Sequence, residues 1–525
     1  MTSQLVLLVL VLSSTTGLAV QQSKPSPDPK QSNESKKESA LTTKNKADNS
    51  IEEKKSAEIE TFITYAQSVP AEFSADLLIR LAESGEIKER KRRQELLIEA
   101  FYTAAKAQQP LKLAALPGSS VDSRLGYQAQ AFRLGLDSLS LQCRAIRVLI
   151  QLNKQKARQL FDEIKLKLDR LDCENSLAYD LDSFFDTIQV IAQTGFSAEE
   201  TQRGEHIYFV ENYISKINSS NQIRPAIKVL TSIKTTDLEL ARLGRAFSTA
   251  LAKVPTDDRA FSAPWNSTMN SIDDLVSRFK NRGLPGDEII EAYRTYLVSQ
   301  LTGQRCIETI TAKEQKTFEA GLVTHFNDKL RSLAYKNISP ISEDEIKPGR
   351  REGSVRDDVY WTSAKSKSIL SAMRRLRFKS AGSEFNAQEK ESAEWQSQLS
   401  ELMRALASWG PSDEKSEEDY FHQKCVIYDA LINSIPADNQ YDGLRDELLR
   451  DFTSMLGGSQ LQKVKPAEWF LHAKILIDRA NAATPRERTK LVPLIYNSRS
   501  TILHLYIEKE ELFRSTKTQV TSTNE

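Results

Sequence analysis

Asp438, Gln440, Asp442 and Gly443 stand at the first, third, fifth and sixth positions of the run DNQYDGLRDELL. Those are offsets at which a calcium loop places oxygen ligands and its turn glycine. The final position is Leu449, where the bidentate glutamate of such a loop belongs, so the principal ligand is missing. The same residues read more simply as a helix boundary, with Pro436 ending one helix and Asp442 capping the next near Gly443.

The five histidines, His206, His325, His422, His472 and His504, are scattered, and none has a second histidine one helical turn away. That excludes a zinc site of the HExxH type. Glu205 neighbours His206, but consecutive helical side chains point about 100° apart, so adjacency makes no acid–base pair. Nucleophile and phosphate signatures are missing too: there is no G-x-S-x-G elbow, no Gly-rich phosphate loop and no G-x-G-x-x-G. Paired carboxylates of the glycosidase kind could be drawn from SEDE, Ser342 to Glu345, or DEKSEED, Asp413 to Asp419. Acidic runs in loops are usually solvated charge, and no catalytic residue, metal or cofactor is assigned.

The four cysteines, Cys143, Cys173, Cys306 and Cys425, show no CxxC or CxH spacing, which disfavours zinc. Their reading depends on compartment. Leu5 to Leu12 is an apolar run, followed by SSTT and GLAV with Gly17 and Ala19 at the minus-three and minus-one positions. This is the pattern of a secretory signal peptide cleaved after Ala19, although the leading MTSQ carries no Lys or Arg. The run falls short of the roughly 20 residues that cross a bilayer. Export to the periplasm or exterior is the expectation, and an oxidising compartment permits disulfides. Cys143 near the start of one helix and Cys173 after the helix that follows would meet at one end of an antiparallel hairpin. Cys143 with Cys173 is therefore the expected pair, with Cys306 and Cys425 left over; buried free thiols throughout are the alternative.

Two basic clusters could recognise an acidic partner. Lys88 to Arg93 holds five basic residues in six positions. Gly85 is placed to end a helix before it, and Glu86 and Glu89 suit the first turn of the next. Successive arginines fan around a helix, so the cluster reads as the solvated corner of a helical hairpin. Between Lys347 and Lys379 ten Lys and Arg face three acidic residues. There, Ile369, Met373 and Leu376 form an apolar face beside Arg374, Arg375, Arg377 and Lys379. Together with Lys347, Arg350 and Arg351 these are the candidate contacts for an anionic lipid or an acidic partner.

The elements that must position these groups are helices. In the 525-residue chain, Gly 19 and Pro 17 are both low against averages of about 7% and 5%. Apolar residues recur at intervals of three and four, as in QCRAIRVLIQL, LAYDLDSFFDTIQVIAQ and LELARLGRAFSTALAKV. Strand signals are essentially absent. The pattern predicts an all-α protein of helical hairpins stacked as an irregular α-solenoid-like array or bundle, in two subdomains. The expected divisions are a signal peptide over 1–19, a disordered spacer over 20–56, an N-terminal helical array over 57–335, an irregular linker over 336–360, a C-terminal helical domain over 361–514 and a disordered tail over 515–525. Lys+Arg 72 against Asp+Glu 71 gives a net charge of +1, leaving no global field for nucleic acid.

The segment from Ser68 to Ala105, with VPAEFSADLLIRLAES followed by RQELLIEAFYTAA, resembles a segment of uncharacterised exported bacterial proteins. That resemblance covers under a tenth of the chain and implies no activity. The array resembles tetratricopeptide and HEAT proteins in architecture only, because Ser84 stands where the tetratricopeptide consensus wants Leu. The function expected is a non-enzymatic, exported scaffold with a protein partner and no nucleic acid. The alternatives are an envelope hydrolase with carboxylates from distant helices, and a peripheral binder of anionic membrane through residues 347–379.

Overall fold

A leucine, phenylalanine or alanine on nearly every turn gives each helix a stripe that must be covered, and the neighbours in sequence cover it. The computed structural model describes residues 54–107, 134–166, 179–261, 268–303, 305–306, 312–332, 337–346, 351–352, 363–378, 393–414, 416–434, 442–457, 464, 466–482, 489, 492–493 and 502–506. The expected signal peptide and polar tail lie outside these residues. A helical stretch over 54–68 already runs through the last positions of the expected spacer.

Beyond it come α1 (Ala71–Glu83), α2 (Arg90–Ala104), α3 (Ser138–Leu149), α4 (Lys154–Asp162), α5 (Leu181–Thr194), α6 (Ala198–Gln202), α7 (Glu205–Ile214), α8 (Ser220–Ser232), α9 (Asp237–Leu251), α10 (Thr268–Asn281) and α11 (Asp287–Thr302). A first row of helices is formed by α1, α3, α5, α8 and α10, each packed on the next. A second row holds α7, α9 and α11 in the same succession, while α2 and α4 pack on α3. Stacked helical hairpins are therefore the architecture. Phe161 of α4 ties the rows together, with its ring centroid 5.0 Å from Phe184 of α5 and 5.2 Å from Tyr213 of α7.

Local chemistry starts and stops these helices where the sequence demands. Asp137, Asn153 and Asp180 cap α3, α4 and α5 by accepting from the backbone N–H of Ser140, Lys156 and Ser183. Ser197 with Glu200, and Thr236 with Glu239, form reciprocal capping boxes at α6 and α9. Gly85 takes φ 80°, the left-handed conformation that terminates α1 without a Cβ penalty.

The chain continues through β1 (Arg305–Cys306), α12 (Ala312–Ser332) and β2 (Arg351–Glu352). The two short strands pair in parallel, Arg305 with Arg351 and Cys306 with Glu352, a minor addition to an otherwise all-α chain. Residues 337–346, within the expected linker, are docked rather than free. Arg294 Nε donates to Ser339 O at 2.7 Å, Asn327 Nδ2 donates to Ile341 O at 2.9 Å, and Ile338 and Ile341 are buried.

The last helices are α13 (Ala364–Phe378), α14 (Ala393–Ala407), α15 (Glu417–Ser434), α16 (Asp442–Leu456) and α17 (Pro466–Ala482). Helix α15 is their hub and packs on α13, α16, α17 and the turn Pro411–Asp413. Hence Phe421, Cys425, Ile427, Tyr428, Leu431 and Ile432 are all buried. The chain also returns to its first hairpin. Phe470 of α17 meets Phe73 of α1 edge-on, with ring centroids 4.8 Å apart, and Tyr506 donates to Asp76.

Candidate interaction surface

The basic cluster at Lys88–Arg93 is used by the fold itself. Arg93 Nε donates to Ala82 O at 3.0 Å in the last turn of α1, and Arg90 Nε donates to Leu152 O at 3.1 Å just beyond α3. Arg92 and Lys91 reach Glu95 on their own helix at 3.6 and 4.0 Å. The same device recurs along the first row, where unpaired carbonyls at a helix C-terminus attract cations. Lys154 Nζ donates to Phe196 O at 3.1 Å past α5, and Arg278 donates to Ile233 O past α8.

Opposite charges also join successive hairpins. Arg144 of α3 pairs with Asp76 of α1 at 2.7 Å, Arg158 of α4 with Glu200 of α6 at 2.7 Å, and Lys228 of α8 with Asp186 of α5 at 2.7 Å. Arg282, just past α10, reaches Asp237 of α9 at 2.7 Å, and Lys329 of α12 reaches Asp273 of α10 at 2.6 Å. Near-equal totals of acid and base thus become an internal ladder. The acidic run Ser342–Glu345 belongs to it: Glu345 caps its own turn through Ser342 N at 3.0 Å and pairs with Arg294 at 2.7 Å. Asp413 accepts from Gly410 N at 2.9 Å, and Glu414 accepts from Trp409 Nε1 at 3.1 Å and from Ser363. These described carboxylates serve turns and helix ends.

Large apolar side chains left in water lie elsewhere. Tyr102 on α2, Tyr208 on α7 and Leu238 on α9 are 44%, 54% and 82% exposed, and Phe318 stands out on α12. None of these is on a first-row helix. The Arg242 guanidinium of α9 lies 4.0 Å from the ring centroid of Tyr208, held there by Glu211 Oε1, which accepts from Arg242 Nε at 2.8 Å. Tyr208, Arg242 and Leu238, one turn before Arg242, therefore form a braced amphipathic patch across two second-row helices.

Other expected positions resolve differently. Cys143 is a buried free thiol in α3, so the Cys143–Cys173 pair does not form; Cys425 is buried and free in α15, and Cys306 is disulfide-bonded. The reason is burial: Cys143 lies on the face of α3 that packs into the array, not at the open end of a hairpin. Burial pushes its thiol up to about 12. Cys173 lies outside the described residues. So do Lys347, Arg350 and Lys379, while Arg374, Arg375 and Arg377 are described only as part of the α13 backbone and Arg351 only as part of β2. Ile369, Met373 and Leu376 are buried against the neighbouring helices. The apolar face, which suits core packing as well as a membrane, is core. Asp438 and Gln440 lie outside the described residues, and α16 opens at Asp442. Among the described residues no group of three or more His, Cys, Asp or Glu is arranged to hold a metal ion.

One constellation escaped sequence reasoning. His422 Nδ1 of α15 and His472 Nε2 of α17 lie 3.0 Å apart in the core, with Phe421 edge-on to both rings at centroid distances of 5.7 and 5.6 Å. Spacing of 50 residues hides such a pair. The available signal was the setting: His422 follows Phe421 three positions before Cys425, and His472 stands between Phe470 and Ala473, each within a buried stripe. A second polar group lies farther along α15. Lys424 Nζ donates to Trp409 O at 3.1 Å and to Tyr420 Oη at 2.7 Å, and Tyr420 Oη donates to Trp409 O at 2.9 Å. Burial lowers the Lys424 amine and pushes the Tyr420 phenol up to about 12. The cluster closes the end of α14 onto α15. A scan against protein-family models and a search of curated proteins find no match to the chain.

Proposed function

We propose that this protein is an exported, non-enzymatic helical scaffold that offers the second-row face of its array to a protein partner in the cell envelope or outside it. The observation that carries this reading is the division of labour between rows. Described charges of the first row are largely engaged with neighbouring hairpins, whereas Tyr208 and Leu238 stand exposed on the second and Tyr102 on α2. Exposed Tyr, with Arg stacked on it, is the residue chemistry that anchors protein interfaces. Helical arrays present extended surfaces of this kind because each hairpin contacts only its neighbours. The sequence supports export through Leu5–Leu12 and the small residues ending at Ala19. No described helix is long and apolar enough to cross a membrane.

The test is comparative capture. Mature wild-type protein and a Tyr208→Ser, Leu238→Ser variant are used as bait in the native envelope fraction, with circular dichroism to show that both are folded. Expected is a reproducible partner recovered by the wild type and lost with the variant. Recovery of no partner, or of the same partner by both baits, overturns the reading.

A further inference from the structure

We propose that His422 and His472 form an acid-sensitive latch that holds α17 on α15 at neutral pH and releases it when the pair takes up protons. The geometry carries the argument. At 3.0 Å one ring nitrogen donates and the other accepts, so a single hydrogen fits between them. One added proton can be placed on a distal ring nitrogen while the N–H···N bond survives. A second turns both facing nitrogens into donors and sets two imidazolium cations in contact inside a core where neither ring is more than 7% exposed. Buried like charges at such a distance are strongly unfavourable, and separation of the helices relieves them.

Described polar and charged groups on the packed elements act on other partners. On α15, Lys424 is engaged with Trp409 and Tyr420. From α16, Asp451 acts on Lys424 and Tyr428. From the turn before α15, Asp413 acts on Tyr420, and Glu414 is engaged by Ser363 and Trp409. From α13 the buried polar group is Ser366, bonded to Ser363. Burial first, and then the neighbouring His422, holds His472 well below the ordinary histidine range. The sign follows. A histidine kept neutral by the fold gives full stability above its unfolded value near 6.5 and loses it as pH falls below that value.

Release would be felt beyond the pair. Helix α17 carries Trp469, whose Nε1 donates to Leu456 O at 3.0 Å, and Phe470, which touches Phe73 and Tyr506 at centroid distances of 4.8 Å each. Loosening α17 therefore loosens its seat on α16 and on α1, and bares the apolar faces that α15 and α17 now share.

The experiment is hydrogen exchange of the full chain at pH 7.5 and 5.0, corrected for intrinsic rates. Wild-type protein is compared with His472→Gln, whose amide occupies the place of Nε2 without titrating. Expected in the wild type is a loss of protection of about ten-fold or more at the lower pH, the factor of one pKa unit, in peptides spanning 417–434 and 466–482. Peptides of α3 and α5 should hold. His472→Gln should remove that difference. Equal acid loosening across all helices, or unchanged acid loosening in His472→Gln, overturns the latch. Should that variant not fold, His422→Asn, which replaces Nδ1, is read by the same criterion, and the wild-type profile alone still decides whether loosening reaches α15 and α17 while sparing α3 and α5.

Discussion

Gly244 of α9 faces the ring of Phe279 of α10 so closely that a Cβ on the glycine would stand 2.3 Å from Cζ of the phenylalanine. Phe279 is buried, so its ring has nowhere to yield. Alanine would gain about 1 kcal/mol of intrinsic helix propensity, yet the clash costs about 1–3 kcal/mol in a packed core. Gly244→Ala is expected to lower the unfolding midpoint in urea. Gly443→Ala at the start of α16, where the added carbon meets nothing within 4 Å, is expected to leave it unchanged or raise it. A Gly244→Ala protein as stable as wild type would show that the two helices do not approach this closely.

Asp76 is 1% exposed and accepts from Arg80 Nε at 2.8 Å, from Arg144 Nη1 at 2.7 Å and from Tyr506 Oη. A buried carboxylate must be paired and hydrogen-bonded on all sides. Tyr506→Phe deletes one hydrogen bond to a charged acceptor, expected to cost about 1.5–3 kcal/mol. Asp76→Asn removes the carboxylate from Arg80 and one of the two carboxylates that hold Arg144, which keeps Glu83, and is expected to cost more, on the order of 3 kcal/mol. Chemical denaturation of both variants checks the order. Equal, near-zero losses would mean that the C-terminal segment does not seat on α1.

Cysteine reactivity should divide by position. Peptide mapping without reductant is expected to recover Cys306 in a disulfide-linked peptide. Cys143 and Cys425 should take up an alkylating reagent only after unfolding, because both thiols are buried and raised. Alkylation of Cys143 in the native protein would contradict its place in the core of α3.

A fourth expectation concerns the stacked helix caps. Burial, and then the neighbouring Asp180 carboxylate among the lesser causes, raises Asp137 above the usual aspartate range, against the pull of its bonds to Ser140. A carboxyl with a raised folded value stabilises most when protonated, and that contribution is lost as pH rises through the folded value. Asp137→Asn keeps a good N-cap residue without the buried charge. It is expected to lose less stability at pH 7 than at pH 4, as read from thermal midpoints at the two values. A variant relatively weaker at pH 7 would reverse the assignment.

Helix was legible because its cause is local: three- and four-residue periodicity, capping residues such as Asp180 and Ser197, and Gly85 past the end of α1 all act within a few residues. The hairpin corner at Lys88–Arg93 was legible for the same reason. What the sequence hid depends on distance. Nothing local tells that Arg90 would cap a carbonyl beyond α3, or that His422 would meet His472. The cysteine expectation went astray because hairpin ends were inferred from spacing, whereas burial of Cys143 follows from which face of α3 its neighbours cover. The membrane reading of Ile369, Met373 and Leu376 met the usual ambiguity of an amphipathic helix, whose apolar stripe looks alike whether a lipid or another helix covers it.

The bond between Asp76 and Tyr506 spans 430 positions, which makes it a statement about time as well as structure. At about 5–20 residues per second of synthesis, the carboxylate waits roughly 20–90 s before its phenolic partner exists. For most of that interval α1 lacks the Phe470 ring that covers Phe73 as well, so the first hairpin cannot reach its final state while the chain is growing. The contact that completes the first hairpin is therefore among the last that the growing chain can make.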